Sequence, residues 1–356
     1  MKKYFYLFAT AAVALASCSS DDTIAENSSS VGNQQQKEIS LFAVNQKATR
    51  AAVQGNTFPT TNTMEVRAYQ TSPTAGDYFD KTTFSYQYLN GGVDATNNPN
   101  YWGGNTPRYW PLGAASLNFF AVSGAGVNAD DITIADALAS AAVSYKTTGN
   151  TSESTYSATT QSDIMYAFGR QSVGVAGNTL TFPAVNMEFK HALALIKFQV
   201  KAGNAASEAI NITSIVVNGA KYTGSLALSN NAAVTAASGT VETTIAWTPD
   251  AAVNNVTVNN STIGALDEDA FKPADGGAEG TWACAMIVPG TGNGISNFVI
   301  NYTLNGKAYS YTYDPSLANT VAGTVYTYQI TMTLHEIQVA PSVSAWTGSA
   351  IPVAIP

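Results

Sequence analysis

Side chains that do chemistry are scarce in this sequence. It has two histidines, His191 and His335, and two cysteines, Cys18 and Cys284. An imidazole acting as a base or metal ligand needs a second group beside it. These two lie far apart, each in a strand-like context, so both read as structural. No HExxH, spaced Cys/His set, phosphate-binding glycine loop or GxSxG is present. The acids of "DEDAF" (Asp267 to Phe271) read as a solvated loop, with a weak calcium site as the alternative. Nothing marks a carboxylate pair for glycoside chemistry. Cys284 lies in the apolar run "TWACAMIVPG" and reads as a small core residue. Tyr101, Trp102, Tyr109 and Trp110, in "YWGGNTPRYW", have the flat faces that stack on a sugar, but they also suit a packed corner of a domain. The residues support no enzyme and no cofactor.

Cys18 has a chemistry of its own. The chain begins "MKKYFYLFATAAVALASCSSDD". Lys2 and Lys3 precede an apolar run too short to span a bilayer, followed by small residues, which is the pattern of a secretory signal peptide over residues 1–17. Its end, "LASC", resembles a lipobox, in which the cysteine thiol is diacylated and becomes the first residue. Two acyl chains suffice for stable membrane anchoring. The following "SSDD" resembles a tag that sends lipoproteins to the outer face of the outer membrane. With Cys18 acylated, Cys284 has no partner for a disulfide.

The elements that must position these residues are strands. The chain of 356 residues carries few charges, 11%, and a net charge of −8, which argues against a nucleic-acid partner. Its Thr, Val and Tyr favour β-structure, and its length suits two domains. Residues 19–37 read as a polar tether. "EISLFAV" (Glu38 to Val44) then reads as a strand, with Ile39, Leu41 and Ala43 on one face and Phe42 and Val44 on the other. Apolar residues on both faces suit burial inside a sandwich.

Strands are also expected at 64–70, 83–89, 116–122, 179–185, 192–200, 212–219, 281–288, 297–304, 308–313 and 325–334, with Asn, Gly and Asp between. "NGK" (Asn305 to Lys307) reads as a hairpin turn. A helix is expected at "IADALASAAVSY" (Ile134 to Tyr145), and a domain boundary near Met187 to His191. The expected fold class is all-β, built of β-sandwiches with one or few short helices.

The C-terminus alternates Ile351, Val353 and Ile355 with Pro352, Ala354 and Pro356. The three apolar side chains share a face. The two prolines share an edge and have no N–H to donate there. "EIQVAPSVSAW" (Glu336 to Trp346) is a second strand, expected to break at Pro341.

Four features in sequence order carry a resemblance. "RYWPLGAASLNFFAVSG" (Arg108 to Gly124), "QSDIMYA" (Gln161 to Ala167), "MEFKHALALIKFQV" (Met187 to Val200) and the lipobox with "ATRAA" resemble the fimbrillin-like proteins, subunits of type V pili of gut and oral Gram-negative anaerobes. The resemblance implies two tandem transthyretin-like β-sandwich domains, over 51–188 and 189–356. It implies an outer-membrane lipoprotein precursor with a lipidated propeptide over 18–50, cut by an arginine-specific protease between Arg50 and Ala51. Arg50 is otherwise an ordinary loop arginine, and Lys47 is passed over by such a protease.

On that pattern the strand bearing Ile39, Leu41, Phe42 and Val44 is displaced. Three or four inward side chains would hold it by about 5–10 kcal/mol. The vacancy accepts a strand from another pilin subunit, with 336–356, and in it Ile351, Val353 and Ile355, as candidate donor. The alternative is that this segment pairs within its own domain. The function implied is a structural pilus subunit supporting adhesion in an extracellular fimbrium. A tip adhesin or glycan-binding surface lipoprotein, with a host protein or glycan as ligand, is the other reading.

Overall fold

The computed structural model describes residues 37–45, 63–87, 101–123, 132–135, 142–146, 164–177, 179–203, 210–222, 224–230, 243–249, 254–259, 272–273, 284–332 and 337–345. Cys18, Arg50, Ala51, His335, residues 267–271 and Ile351, Val353 and Ile355 lie outside the described residues.

The strands in chain order are β1 (Ser40–Asn45), β2 (Met64–Ser72), β3 (Gly76–Gln87), β4 (Tyr101–Gly104), β5 (Ser116–Ser123), β6 (Ile132–Ala135), β7 (Ala142–Lys146), β8 (Met165–Ser172), β9 (Gly174–Ala176) and β10 (Thr179–Thr181). There follow β11 (Val185–His191), β12 (Ala194–Ala202), β13 (Ile210–Ala220), β14 (Gly224–Asn230), β15 (Thr243–Pro249), β16 (Asn254–Asn259) and β17 (Lys272–Pro273). The last are β18 (Cys284–Ile287), β19 (Gly290–Ile295), β20 (Asn297–Leu304), β21 (Lys307–Tyr313), β22 (Leu317–Thr320), β23 (Thr324–Met332) and β24 (Ile337–Ala345). The chain is all-β, with no helix among the described residues.

Alternation explains most of these strands. In β11 and β12 buried residues recur at every second position, as a strand with one face on a core requires. β5 is buried along almost its whole length because both of its faces are covered. Asn305 and Gly306, both with positive φ, make the β20–β21 hairpin turn. That conformation is the one Asn-Gly favours.

Three cores organise the sheets. The first fills a closed barrel of order β1-β11-β8-β5-β2-β3-β4. A closed barrel stands where a sandwich was expected, because β1 pairs with both β11 and β4 and leaves no edge between them. The second core lies between the sheet β17-β12-β23-β24, which β18 joins, and the sheet β16-β13-β20-β21. Phe198, Phe298 and Tyr328 meet at its centre, with Phe298–Tyr328 ring centroids 4.6 Å apart.

The third core packs Phe120, Val122 and Tyr166, on the outside of the barrel, against Leu226 and Leu228 of the sheet β15-β14-β7-β6. That sheet draws β6 and β7 from between barrel strands β5 and β8, and β14 and β15 from the later half of the chain. The Trp247 indole N–H also donates to the Ala192 carbonyl at 2.7 Å.

Three further expectations are corrected. Where a helix was expected over Ile134 to Tyr145, the described residues are strands: Ile134 and Ala135 end β6 and Ala142 begins β7, with Val143 to Lys146 paired to β14. Cross-strand pairing overrides the helical preference of an Ala-rich segment, as tertiary context routinely does. The single strand expected over 179–185 is split into β10 and β11 around Pro183, which has no N–H for a ladder. Pro341 does not break its strand. β24 runs through it, with Pro341 opposite Tyr328, because β24 is an edge strand and one of its sides needs no donor. The chain leaves the barrel after His191 and joins the next sheet at Ala194.

Candidate functional site

β1 and its slot are the unusual feature. Leu41 to Asn45 run parallel to β11, with Leu41 opposite Val185 and Asn45 opposite Phe189. Ser40 and Leu41 run antiparallel to β4, opposite Gly103 and Trp102. The pairing continues before β1. The Ile39 N–H donates to the Arg108 carbonyl at 2.7 Å, and the Trp110 N–H donates to the Lys37 carbonyl at 2.9 Å. Glu38 bridges Tyr109. A single short segment therefore satisfies two backbone edges at once.

The 108–110 segment is itself held in place. The Arg108 guanidinium lies 5.4 Å from the Phe79 ring centroid, and its Nε–H donates to the Thr82 hydroxyl at 3.0 Å. The Tyr78 hydroxyl donates to the Tyr109 carbonyl at 2.7 Å. Gly104 ends β4 where a Cβ would sit 2.6 Å from the Thr106 carbonyl, so no larger residue fits without a shift.

Ile39 and Leu41 are fully buried and Ala43 nearly so, all in the barrel core. Phe42 is half-buried on the outer side. The Val44 backbone lies in β1, opposite Glu188. Two large inward side chains and one alanine hold less than three or four would. At about 1.5–3 kcal/mol for each large side chain, they contribute about 3–6 kcal/mol. Burial raises the Glu38 carboxyl above the usual carboxylate range. The nearby Tyr101 hydroxyl is raised by burial and then by the Glu38 charge.

The aromatic residues of "YWGGNTPRYW" pack the corner. Trp110 is buried and meets Phe119 edge-to-face at 5.9 Å. Trp102 is buried against Tyr86, with centroids 5.0 Å apart. Neither indole face is open to a sugar, which removes the stacking reading for both. Tyr109 remains exposed. His191 is buried at the end of β11. β18 carries Cys284. Among the described residues, no cluster of three His, Cys, Asp or Glu side chains could hold a metal.

Sequence reading found β1 and its inward face. It did not find the parallel pairing with β11 or the contact with 108–110, which leave no local pattern.

Residues 49–346 match the fimbrillin-like family, and the chain belongs to that family. It is thus a fimbrial or adhesion protein of the cell surface and not an enzyme. No curated protein matches it in sequence. Among solved structures it is similar to a fimbrial protein from Bacteroides vulgatus, at 12% identity over 87% of this chain and 99% of that one, with a TM-score of 0.45. It is also similar to a fimbrial assembly protein from Parabacteroides distasonis, at 11% identity, 87% and 99% coverage and a TM-score of 0.44. The fimbrial anchor protein Mfa2 from Porphyromonas gingivalis is similar at 8% identity, 89% and 100% coverage and a TM-score of 0.36.

Proposed function

We propose that the chain is a polymerising pilus subunit. It is exported as a lipoprotein acylated at Cys18, cut after Arg50 and joined to its neighbours by strand exchange in the slot of β1. The domain plan proposed is a signal peptide over 1–17, a propeptide over 18–50 and two sandwich-derived units of transthyretin type, 51–188 and 189–356. The destination is an outer-membrane precursor and then an extracellular fimbrium.

The observation that carries this reading is the double pairing of β1. Its removal opens the ring between β11 and β4 and uncovers Trp102. An apolar cleft flanked by two unpaired edges is an acceptor for an extended strand. Arg50 lies five positions after Asn45, so one cut would end the covalent tether that keeps β1 in place. The family match begins at Thr49 and so leaves β1 outside it, as suits a segment that the mature subunit lacks.

The test is treatment of the full chain with an arginine-specific protease. The expected product begins at Ala51, has lost β1 and forms ladders that resist mild denaturant. Arg50→Ala should block both steps. A cut product that releases β1 and stays monomeric at every concentration would remove the polymer reading.

A further inference from the structure

Resting on the reading of the β1 slot as a strand acceptor, we propose a second cleavage site for an arginine-specific protease, the Arg108–Tyr109 peptide bond. Residues 37–39 cover it while β1 is docked, and it is cut when the slot stays empty.

The chain has four arginines, Arg50, Arg67, Arg108 and Arg170. Arg67 is buried in β2, which is paired on both sides, to β3 and to β5. Arg170 lies in β8 opposite Asn118, and its Nε–H donates to the Asn118 side-chain carbonyl at 2.8 Å. A protease binds its substrate as an extended strand through backbone bonds, the mode of β-strand addition. Neither of these two arginines offers such an edge while the barrel is folded. Arg108 differs. It lies in the connection from β4 to β5, the kind of segment where nicking concentrates. Around it Asn105, Thr106, Pro107 and Tyr109 are exposed.

The backbone there suits a protease once it is uncovered. Pro107 and Pro111 bias Thr106 and Trp110 toward extended conformations. Tyr109 follows the arginine, so the scissile nitrogen belongs to an ordinary amide. The lead-in to β1 covers this stretch. The Arg108 carbonyl, which the protease must attack, accepts the Ile39 N–H at 2.7 Å. The Trp110 N–H donates to the Lys37 carbonyl at 2.9 Å, and Tyr109 bridges Glu38. Departure of β1 with its lead-in bares all three positions. The Arg108 side chain still rests on Phe79 and Thr82, and Trp110 still sits in the barrel core. A local opening must free them, so Arg108 is cut after Arg50 and more slowly. Hydrolysis breaks the bond from the Arg108 carbonyl carbon to the Tyr109 nitrogen. Water supplies the hydroxyl to that carbon and the proton to the new amine.

The strand order gives the cut its consequence. β2, β3 and β4 precede Arg108, whereas β5, β8 and β11 follow it. The walls of the slot are β4 and β11. After the second cut they belong to different fragments, joined within the ring only by the ladder of β2 with β5. A slot whose walls are no longer covalently joined holds a strand poorly. The protease that opens the acceptor therefore also retires acceptors that no strand fills. An incoming strand protects only if it reaches 108–110.

The test digests the full chain with an arginine-specific protease, separates the monomeric body from the released piece, continues the digestion and reads intact masses. The expected products of the emptied body are fragments 51–108 and 109–356, absent from Arg50→Ala and from Arg108→Lys. At about 100 times its Kd, the peptide Lys37 to Asn45 leaves about one slot in a hundred open and should slow the second cut about 100-fold. The peptide Ser40 to Asn45, equally saturating, leaves 108–110 bare and should protect far less. Equal protection by both peptides, or cleavage after Arg108 in Arg50→Ala as fast as in the emptied body, overturns the shield. An emptied body that stays whole overturns the second site and leaves the acceptor reading standing. Cuts after Arg67 and Arg170 as fast as after Arg108 mean general unfolding and also overturn it. A first cut that leaves β1 bound overturns the acceptor reading and the second site with it.

Discussion

Leu41 does two jobs in the slot. Its backbone is shared between β11 and β4, and its side chain is fully buried in the barrel core. Leu41→Ala keeps the backbone pairs and removes the packing, for a loss of about 2–5 kcal/mol. After the cut, the variant should release the piece that ends at Arg50 faster by orders of magnitude, read as peptide release on a sizing column. Phe42→Ala, on the outer side, should change that rate far less.

Glu38 adds a pH dependence. Its folded-state pKa is raised by burial, so the docked segment binds a proton more tightly than the free one. Docking is therefore firmest below the ordinary glutamate pKa and weakens as pH rises through the raised value, then stays level. Glu38→Gln should flatten the release rate across that window and slow release at neutral pH. Retention of the full pH dependence in Glu38→Gln would assign it to another group.

At the scale of elements, β1 is a strand whose neighbours both come from distant parts of the chain. Its departure should be visible at Trp102, which is buried against Tyr86 and lies opposite Leu41. Cutting after Arg50 and removing the released segment should shift tryptophan emission to longer wavelength. Adding an excess of the peptide Lys37 to Asn45 should reverse the shift. In Trp102→Phe the change should shrink. Cleavage with no spectral change would mean that the strand stays docked after the cut. β24 is the contrasting element. Among the described residues it is the edge strand of its sheet, with Val343 exposed while Ile337 and Val339 pack on the second core.

For the whole molecule, the third core decides cooperativity. Leu226 and Leu228 are fully buried between the barrel's outer face and the sheet that both halves build. Such a joint makes the halves unfold together. Leu228→Ala should cost about 2–5 kcal/mol there, and scanning calorimetry should then show a single transition split into two. A lone transition at lower temperature would place Leu228 within one unit rather than between two.

Strand positions were legible because alternation is written in neighbouring residues. β5, β12, β13, β20 and β23 all fall within a few residues of their expected bounds, and the inward face of Ile39, Leu41 and Ala43 follows from period two. The Asn-Gly turn was legible for the same reason. In the sequence the packing of Trp102 and Trp110 stands beside sugar stacking as one of two readings, because exposure is not a local property.

The sequence by itself determined that the chain makes strands, which of their faces are apolar, and where Cys18 and Arg50 lie along the chain. Tertiary structure alone decided that β1 closes a ring, that it lies parallel to β11, and that 142–146 forms a strand against β14. The reason is physical. Side-chain alternation is fixed by the geometry of one strand, whereas pairing is fixed by whichever distant edge is left open when the remaining strands have paired.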